Sequence, residues 1–220
     1  MMAIIEMPSL KRHTPHNYIK WLESVGIIPV CIPYDLLKED LLICLDKVNG
    51  VLWTGGAIEN KNYTAHQKKV YTDTLYTTFE VAKQYNDQGR KYPIWGTCQG
   101  FEFLVLFHNG KHTSIHSLPK HHADGQFPIT FKGNSIMRKW FGSLVEEMKE
   151  KNCATHYHKY GVDIQDMSHL VILSTQEDYI NIIKYKEYPF YGVQFHPERP
   201  FDAFSKKVSK KFALFVKQLL

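Results

Sequence analysis

Cys98 lies in the run Trp95-Gly96-Thr97-Cys98-Gln99-Gly100-Phe101-Glu102, where an apolar stretch enters a Gly-x-Cys-x-Gly turn and a helical pattern begins. A strand, a sharp turn and a helix in that order form a nucleophile elbow, here with sulfur as the reacting atom. Gly96 and Gly100 supply the small residues that such a turn needs where backbone crosses backbone. A helix starting at Gln99 would point its free N–H groups and positive end at the sulfur, favouring thiolate, the nucleophilic form. The Gln99 N–H would also stand where an oxyanion forms beside the sulfur. A lone cysteine with glycines packed around a strand end would be plain structure; this pattern favours the nucleophile.

A second run, Phe190-Tyr191-Gly192-Val193-Gln194-Phe195-His196-Pro197-Glu198, is an apolar strand ending in His-Pro-Glu. Proline and its predecessor hold the backbone extended, so His196 and Glu198, two apart, face the same side. The carboxylate can then accept from one ring nitrogen and leave the other facing a cysteine, as in a triad. Alone, such a histidine would be a surface turn. Groups at the carboxyl ends of strands in open α/β sheets gather at binding sites, and both motifs end strands.

The elements that must hold these groups alternate between short apolar runs and amphipathic segments, the pattern of βα units and a mainly parallel sheet. Strands are expected at Ala3–Met7, Ile28–Ile32, Gly50–Trp53, Tyr92–Trp95, Leu170–Ser174, Ile180–Tyr185 and Phe190–Phe195. Helices are expected at His16–Val25, with Tyr18, Ile19, Leu22 and Val25 on one face, and at Lys38–Lys47, Tyr63–Asp87 and Gln99–His108. Residues 111–134 are rich in turn formers and yield no clear element. Phe204, Val208, Phe212, Phe215, Val216 and Leu219 form a helical stripe backed by lysines, a surface helix facing the core. The expected fold is a single three-layer α/β domain over residues 1–220, flavodoxin-like, with a central, mainly parallel sheet.

A chain of 220 residues can bury a core without metals or cross-links. Its net charge of +5 suits an acidic small substrate and lacks the dense basic clusters of nucleic-acid binders. Cys31, Cys44, Cys98 and Cys153 form no CxxC pair, which suits a reducing compartment. No apolar run is long enough to span a bilayer, and Met1–Pro8 lacks the pattern of a signal peptide. The expected location is therefore cytoplasmic, with a vacuolar or secreted one reserved for a trimmed chain. His112, His116, His121 and His122 show no ligand spacing, so no metal is expected, and Gly55-Gly56 lacks the Gly-Lys-Ser/Thr of a phosphate loop.

With both motifs in view, the chain resembles the γ-glutamyl hydrolases (peptidase C26), a branch of the class I glutamine amidotransferase-like group. Trp-Gly-Thr-Cys-x-Gly-Phe-Glu is specific to that branch, while His-Pro-Glu is shared by the wider group. Trp21–Gly26, Val48–Gly56 and His158-Lys159-Tyr160 are similar to further family segments, in the family's order. The resemblance implies that Cys98 attacks a γ-carbonyl, that His196 moves the proton and that Glu198 orients His196. It implies Gly56 and Gln99 as oxyanion donors and His158 as a further essential residue near the substrate. Read without the resemblance, His158 is a satisfied polar residue at a strand edge. Glu102, one turn beyond Cys98, stands where amidotransferases usually carry a glutamine that touches substrate, which points it at the substrate's α-amino group. Thr54 replaces the family's usual proline and Gln99 its usual leucine; backbone N–H groups tolerate both changes, and Gln99 can reshape specificity.

The expected reaction is hydrolysis of a γ-glutamyl amide, folate polyglutamate or a related compound, through a thioester, with no cofactor. The partner is a small molecule, with neither nucleic acid nor membrane involved and a homodimer left open. Three alternatives stand beside it: a glutaminase component feeding ammonia to a synthase, a hydrolase of conjugates such as γ-glutamyl-GABA, and a non-catalytic binding module. Glu102 in place of glutamine speaks against the first. The intact Cys98, His196 and Glu198 set speaks against the last.

Overall fold

The computed structural model describes residues 1–8, 16–57, 61–109, 115–118, 124–133, 135–163 and 170–220. The strands are β1 (Met2–Ile5), β2 (Pro29–Ile32), β3 (Val51–Trp53), β4 (Ile94–Thr97), β5 (Ile115–Ser117) and β6 (Asp124–Phe127). They continue with β7 (Ala154–Tyr157), β8 (Tyr160–Val162), β9 (Leu170–Gln176), β10 (Tyr179–Tyr185) and β11 (Phe190–Val193). The helices are α1 (His16–Glu23), α2 (Lys38–Asp46), α3 (Ala65–Asp87), α4 (Gln99–Asn109), α5 (Ile136–Phe141), α6 (Leu144–Glu150) and α7 (Ala203–Leu219).

Seven strands form one sheet in the order β2-β1-β3-β4-β11-β10-β9. The five from β2 to β11 pair in parallel, and β10 and β9 add antiparallel at one edge. Strands covered on both faces need apolar side chains at every position, not at alternate ones. In β1, Met2 and Ile4 pack with Trp21 and Leu22 of α1 and Phe212 of α7. Ala3 and Ile5 pack on the opposite face with Leu41 and Leu45 of α2 and Leu75 of α3. Helices α1, α5, α6 and α7 thus cover one face and α2, α3 and α4 the other. The expected three-layer α/β arrangement is the observed one.

Local chemistry sets the helix ends. Thr64 and Gln67 form a capping box at the start of α3, and Asp202 and Ser205 form another for α7. Gly26, just past α1, adopts φ +76°, a left-handed turn that few other residues enter. The α7 stripe is buried as expected, with Lys206, Lys207 and Lys210 exposed on its other side.

Differences from the sequence reading cluster where pairing, not composition, decides. The strand expected at Tyr92–Trp95 instead runs Ile94–Thr97, because Gly96 and Thr97 still pair with Gly192 and Val193. The last strand stops at Val193, not Phe195. The turn-rich 111–134 stretch contributes β5 and β6, and α5, α6, β7 and β8 follow in a stretch with no expected element. β5 pairs with β8 and β6 with β7, each as a separate two-stranded antiparallel ribbon. His112, His121 and His122 lie outside the described residues, as does the side chain of His116. Among the described residues, no group of metal-ligating side chains occurs and no helix is long and apolar enough to cross a membrane.

Phe212 is fully buried and its ring meets those of Trp95, Phe141 and Phe195, linking α7 to β4 and to the residue before His196. Truncating such a side chain removes transfer energy and leaves a cavity. Phe212→Ala should therefore destabilise the fold by about 3–5 kcal/mol, measured as a shift in urea unfolding.

Candidate active site

β4 ends at Thr97, and Cys98 follows with φ 52°, in the left-handed region that non-glycine residues seldom occupy. The Cys98 N–H donates to the Val193 carbonyl at 2.7 Å, carrying the β4–β11 ladder one residue into the turn. The chain then enters α4 at once. A Cβ on Gly96 would stand 2.6 Å from the Gly100 carbonyl oxygen, and one on Gly100 would stand 2.4 Å from that of Trp53. These are backbone atoms that cannot step aside, so both positions exclude side chains. The bend expected from the sequence is present, and its strain sits at the sulfur-bearing residue.

β11 ends beside β4, with Val193 opposite Thr97, so the chain segments leaving both strands emerge at one edge of the sheet. His196 and Glu198 are both 5% exposed. His196 Nδ1 donates to Glu198 Oε1 at 2.7 Å, which leaves Nε2 on the opposite side of the ring. A Cβ placed on Gly55 would stand 2.6 Å from the His196 ring carbon Cε1 and 3.1 Å from the Cys98 Cβ. The imidazole and the cysteine therefore share one small pocket. Burial by itself would lower the His196 pKa; the Glu198 carboxylate and then Cys98 outweigh it and raise the value.

β7 holds both partners from the side. Its Thr155 carbonyl accepts from the His196 N–H at 2.8 Å, and its Tyr157 carbonyl accepts from Cys98 Sγ at 3.9 Å. Residues two apart on a strand point the same way, so one edge of β7 meets both groups. Gln99, 3% exposed, places its side chain against Gly56, which brings the two expected oxyanion donors to the same corner. Gly55, next to Gly56, gives its N–H to the hydroxyl of buried Tyr18 at 2.8 Å. Glu102 lies one turn along α4, its N–H bonded to the Cys98 carbonyl at 3.1 Å, and its carboxylate accepts from Gln194 Nε2 at 3.2 Å.

His158 occupies the link between β7 and β8. Its Nδ1 lies 2.7 Å from the Tyr160 carbonyl, which only accepts, so Nδ1 carries the proton. Burial, then the charge on His196, pull its pKa down to about 4, so the ring is neutral and Nε2 is an acceptor. That acceptor takes the Nδ1 proton of His156 at 2.9 Å. His156, buried with a pKa pushed well down by burial and by the neighbouring His158 and His196, presents a bare Nε2 with no partner among the described residues. His158 thus spends both ring nitrogens inside the protein, close to its reading as a satisfied strand-edge histidine. Neither His156 nor Gln194 was singled out from the sequence, and neither was Tyr18 beyond its helix face. Their contacts span 2 to 92 residues in sequence, and no local pattern marks them.

The strand order, the helices on both faces and the elbow after a central parallel strand define a flavodoxin-like α/β chain of the class I glutamine amidotransferase kind. Solved structures agree on that fold. A Thermoplasma acidophilum protein described as part of a GMP synthase superposes with TM-score 0.64 at 20% identity, over 99% of this chain and 94% of that one. PurLQS from Thermotoga maritima superposes with TM-score 0.63 at 16% identity, over 100% and 98%. A sequence profile of the peptidase C26 family matches residues 6–198. The chain belongs to the peptidase C26 family. It is 26% identical to human γ-glutamyl hydrolase over 200 residues, covering 83% of this chain and 59% of that protein. The bovine γ-glutamyl hydrolase is 27% identical over 206 residues, covering 86% and 61%, and γ-glutamyl hydrolase 1 of Arabidopsis thaliana 26% over 200, covering 83% and 55%. The chain therefore spans roughly three fifths of the length of these relatives.

The neutral histidine pair has a consequence for stability. An unfolded histidine takes up a proton near pH 6.5, whereas folded His158 does so only near pH 4. Between those values the unfolded chain binds more protons, so stability falls as pH drops through this window. The urea midpoint of the wild type should decline from about pH 6.5 to about pH 5. In a His156→Asn/His158→Asn variant that slope should be visibly shallower.

Proposed function

We propose that this chain is a cysteine hydrolase that cleaves γ-glutamyl amide bonds through a γ-glutamyl thioester. The observation that carries the reading is the Cys98 elbow at φ 52° sharing a pocket with His196, whose far nitrogen is held by Glu198 at 2.7 Å. A buried sulfur at the amino end of α4, facing an imidazole raised in basicity by a carboxylate, is equipped to pass its proton to that ring.

The thiolate attacks the γ-carbonyl carbon and the carbonyl electrons move onto oxygen. The Gln99 and Gly56 N–H groups receive that oxyanion. When it collapses, the carbon–nitrogen bond breaks and the proton on His196 Nε2 goes to the departing amine. Water then gives a proton to His196 and attacks the thioester, and the sulfur leaves, recovering that proton as the γ-carboxylate departs. Glu102, steadied by Gln194, offers a negative group one turn from the sulfur and takes the α-amino group of the substrate. His158, braced by His156 and the Tyr160 carbonyl, forms a rigid neutral wall beside the reacting pair. Folate polyglutamates and related γ-glutamyl compounds are the substrate class, and residues 1–220 act as one domain built on the seven-stranded sheet, which carries a core on each face.

Glutamate release from a panel holding a folate polyglutamate, γ-glutamyl-GABA and glutamine tests this. At least one γ-glutamyl amide other than glutamine should turn over, and Cys98→Ala should lower the rate by about a thousandfold or more. Glutamine turnover alone points to a glutaminase instead, and unchanged activity in Cys98→Ala removes the proposed nucleophile altogether.

A further inference from the structure

Tyr18 projects from α1 into the floor of the site and is 2% exposed. Its hydroxyl oxygen accepts from the Gly55 N–H at 2.8 Å. A Cβ on Gly55 would stand 3.2 Å from that oxygen, as well as beside Cys98 and His196, so the hydroxyl borders the same pocket. A phenol that accepts a backbone hydrogen bond still has its own proton to donate. Burial raises its pKa well above the usual value, and the Glu198 charge and its contact with the hydroxyl add to the rise, so the proton stays on.

On the other side, the Glu198 side chain is fully buried. Its Oε1 accepts from His196 Nδ1, with the Nε of exposed Arg199 at 3.6 Å, while its Oε2 has no partner among the described residues. A buried carboxylate oxygen without a donor is strongly disfavoured, and the donor beside it is Tyr18.

We propose that Tyr18 is a positioning residue, whose hydroxyl accepts a hydrogen bond from the Gly55 N–H and donates one to the Glu198 carboxylate. One side chain then ties together the turn that carries the Gly56 oxyanion donor and the carboxylate that orients His196. It rests on the reading of Cys98, His196 and Glu198 as the reacting set. Tyr18 touches no substrate; it acts by holding the carboxylate against His196 and the glycine turn in place. The groups facing this carboxylate are His196, Tyr18 and Arg199, and those facing His196 are Cys98, His156 and His158; the test variant changes only the Tyr18 hydroxyl and keeps all the others.

Tyr18→Phe keeps the ring and removes the hydroxyl. Its kcat should fall about ten- to a hundredfold with little change in KM, as for loss of a hydrogen bond to a charged group. A second readout needs no substrate: the rate of Cys98 alkylation by iodoacetamide against pH, followed at that residue by peptide mass spectrometry. A hydrogen bond stabilises the ionised carboxylate, so without it the acid limb of that profile should move up by about one pH unit. In a Glu198→Gln background the same substitution should add clearly less, only the part carried by the Gly55 contact, and should leave the alkylation profile unmoved, because the rest of its effect passes through that carboxylate. A Tyr18→Phe enzyme with a wild-type alkylation profile, or an equal loss in the Glu198→Gln background, overturns the proposal. Since alkylation is read without turnover, a wrong substrate class leaves this result standing. Thermal unfolding of each variant separates a misfolded protein from a repositioned carboxylate.

Discussion

The parallel pairing of β4 with β11 underlies everything at this site. Thr97 sits opposite Val193, and the Cys98 N–H continues the ladder onto the Val193 carbonyl. Parallel neighbours end at the same edge of a sheet, so a residue that leaves one strand and a residue that leaves the other must emerge together. A one-residue slip would break the Gly96–Gly192 and Thr97–Val193 pairings and carry the end of β11 out of line with the Cys98 turn. Because both strands are buried on both sides by α4 and α7, the register has no freedom to slip.

Around that pair, buried charge is handled by dense local partnering. Glu198 has no exposed side-chain area, a position that would be very costly for an unpaired carboxylate. It is held by His196 and bordered by Tyr18 and Arg199. The neighbouring His156 and His158 stay neutral, with their two shared protons ordered by a single backbone carbonyl that can only accept. A positive ring next to His196 would oppose the charge that His196 carries when it takes a proton, and burial removes that conflict. The site therefore combines the buried Glu198 carboxylate with one ring raised in basicity and two rings lowered in it. Such divergence of titrating groups in one pocket marks sites that move protons.

β7 shows how much of the arrangement depends on pieces outside the main sheet. Among the described residues its one strand partner is β6, yet its Thr155 and Tyr157 carbonyls hold His196 and Cys98. In sequence it is a four-residue stretch, Ala-Thr-His-Tyr, too short and too mixed for alternation to register. The α5 and α6 turns before it are equally short, six and seven residues, below the length at which periodicity is informative.

The amino-acid order alone determined the βα alternation, the long α3, the buried face of α7 and the glycine-bounded bend around Cys98, because each rests on interactions between residues close along the chain. It also brought His196 and Glu198 together, since proline holds that tripeptide extended. Tertiary structure decided where β4 and β11 stop, which carbonyls of β7 face the site, and that His158 turns both nitrogens inward toward His156 and Tyr160. It alone placed Tyr18 beneath Gly55 and Glu198, 37 and 180 residues away. Contacts of that kind are set by packing of whole layers, and packing leaves no local trace in the chain that makes it.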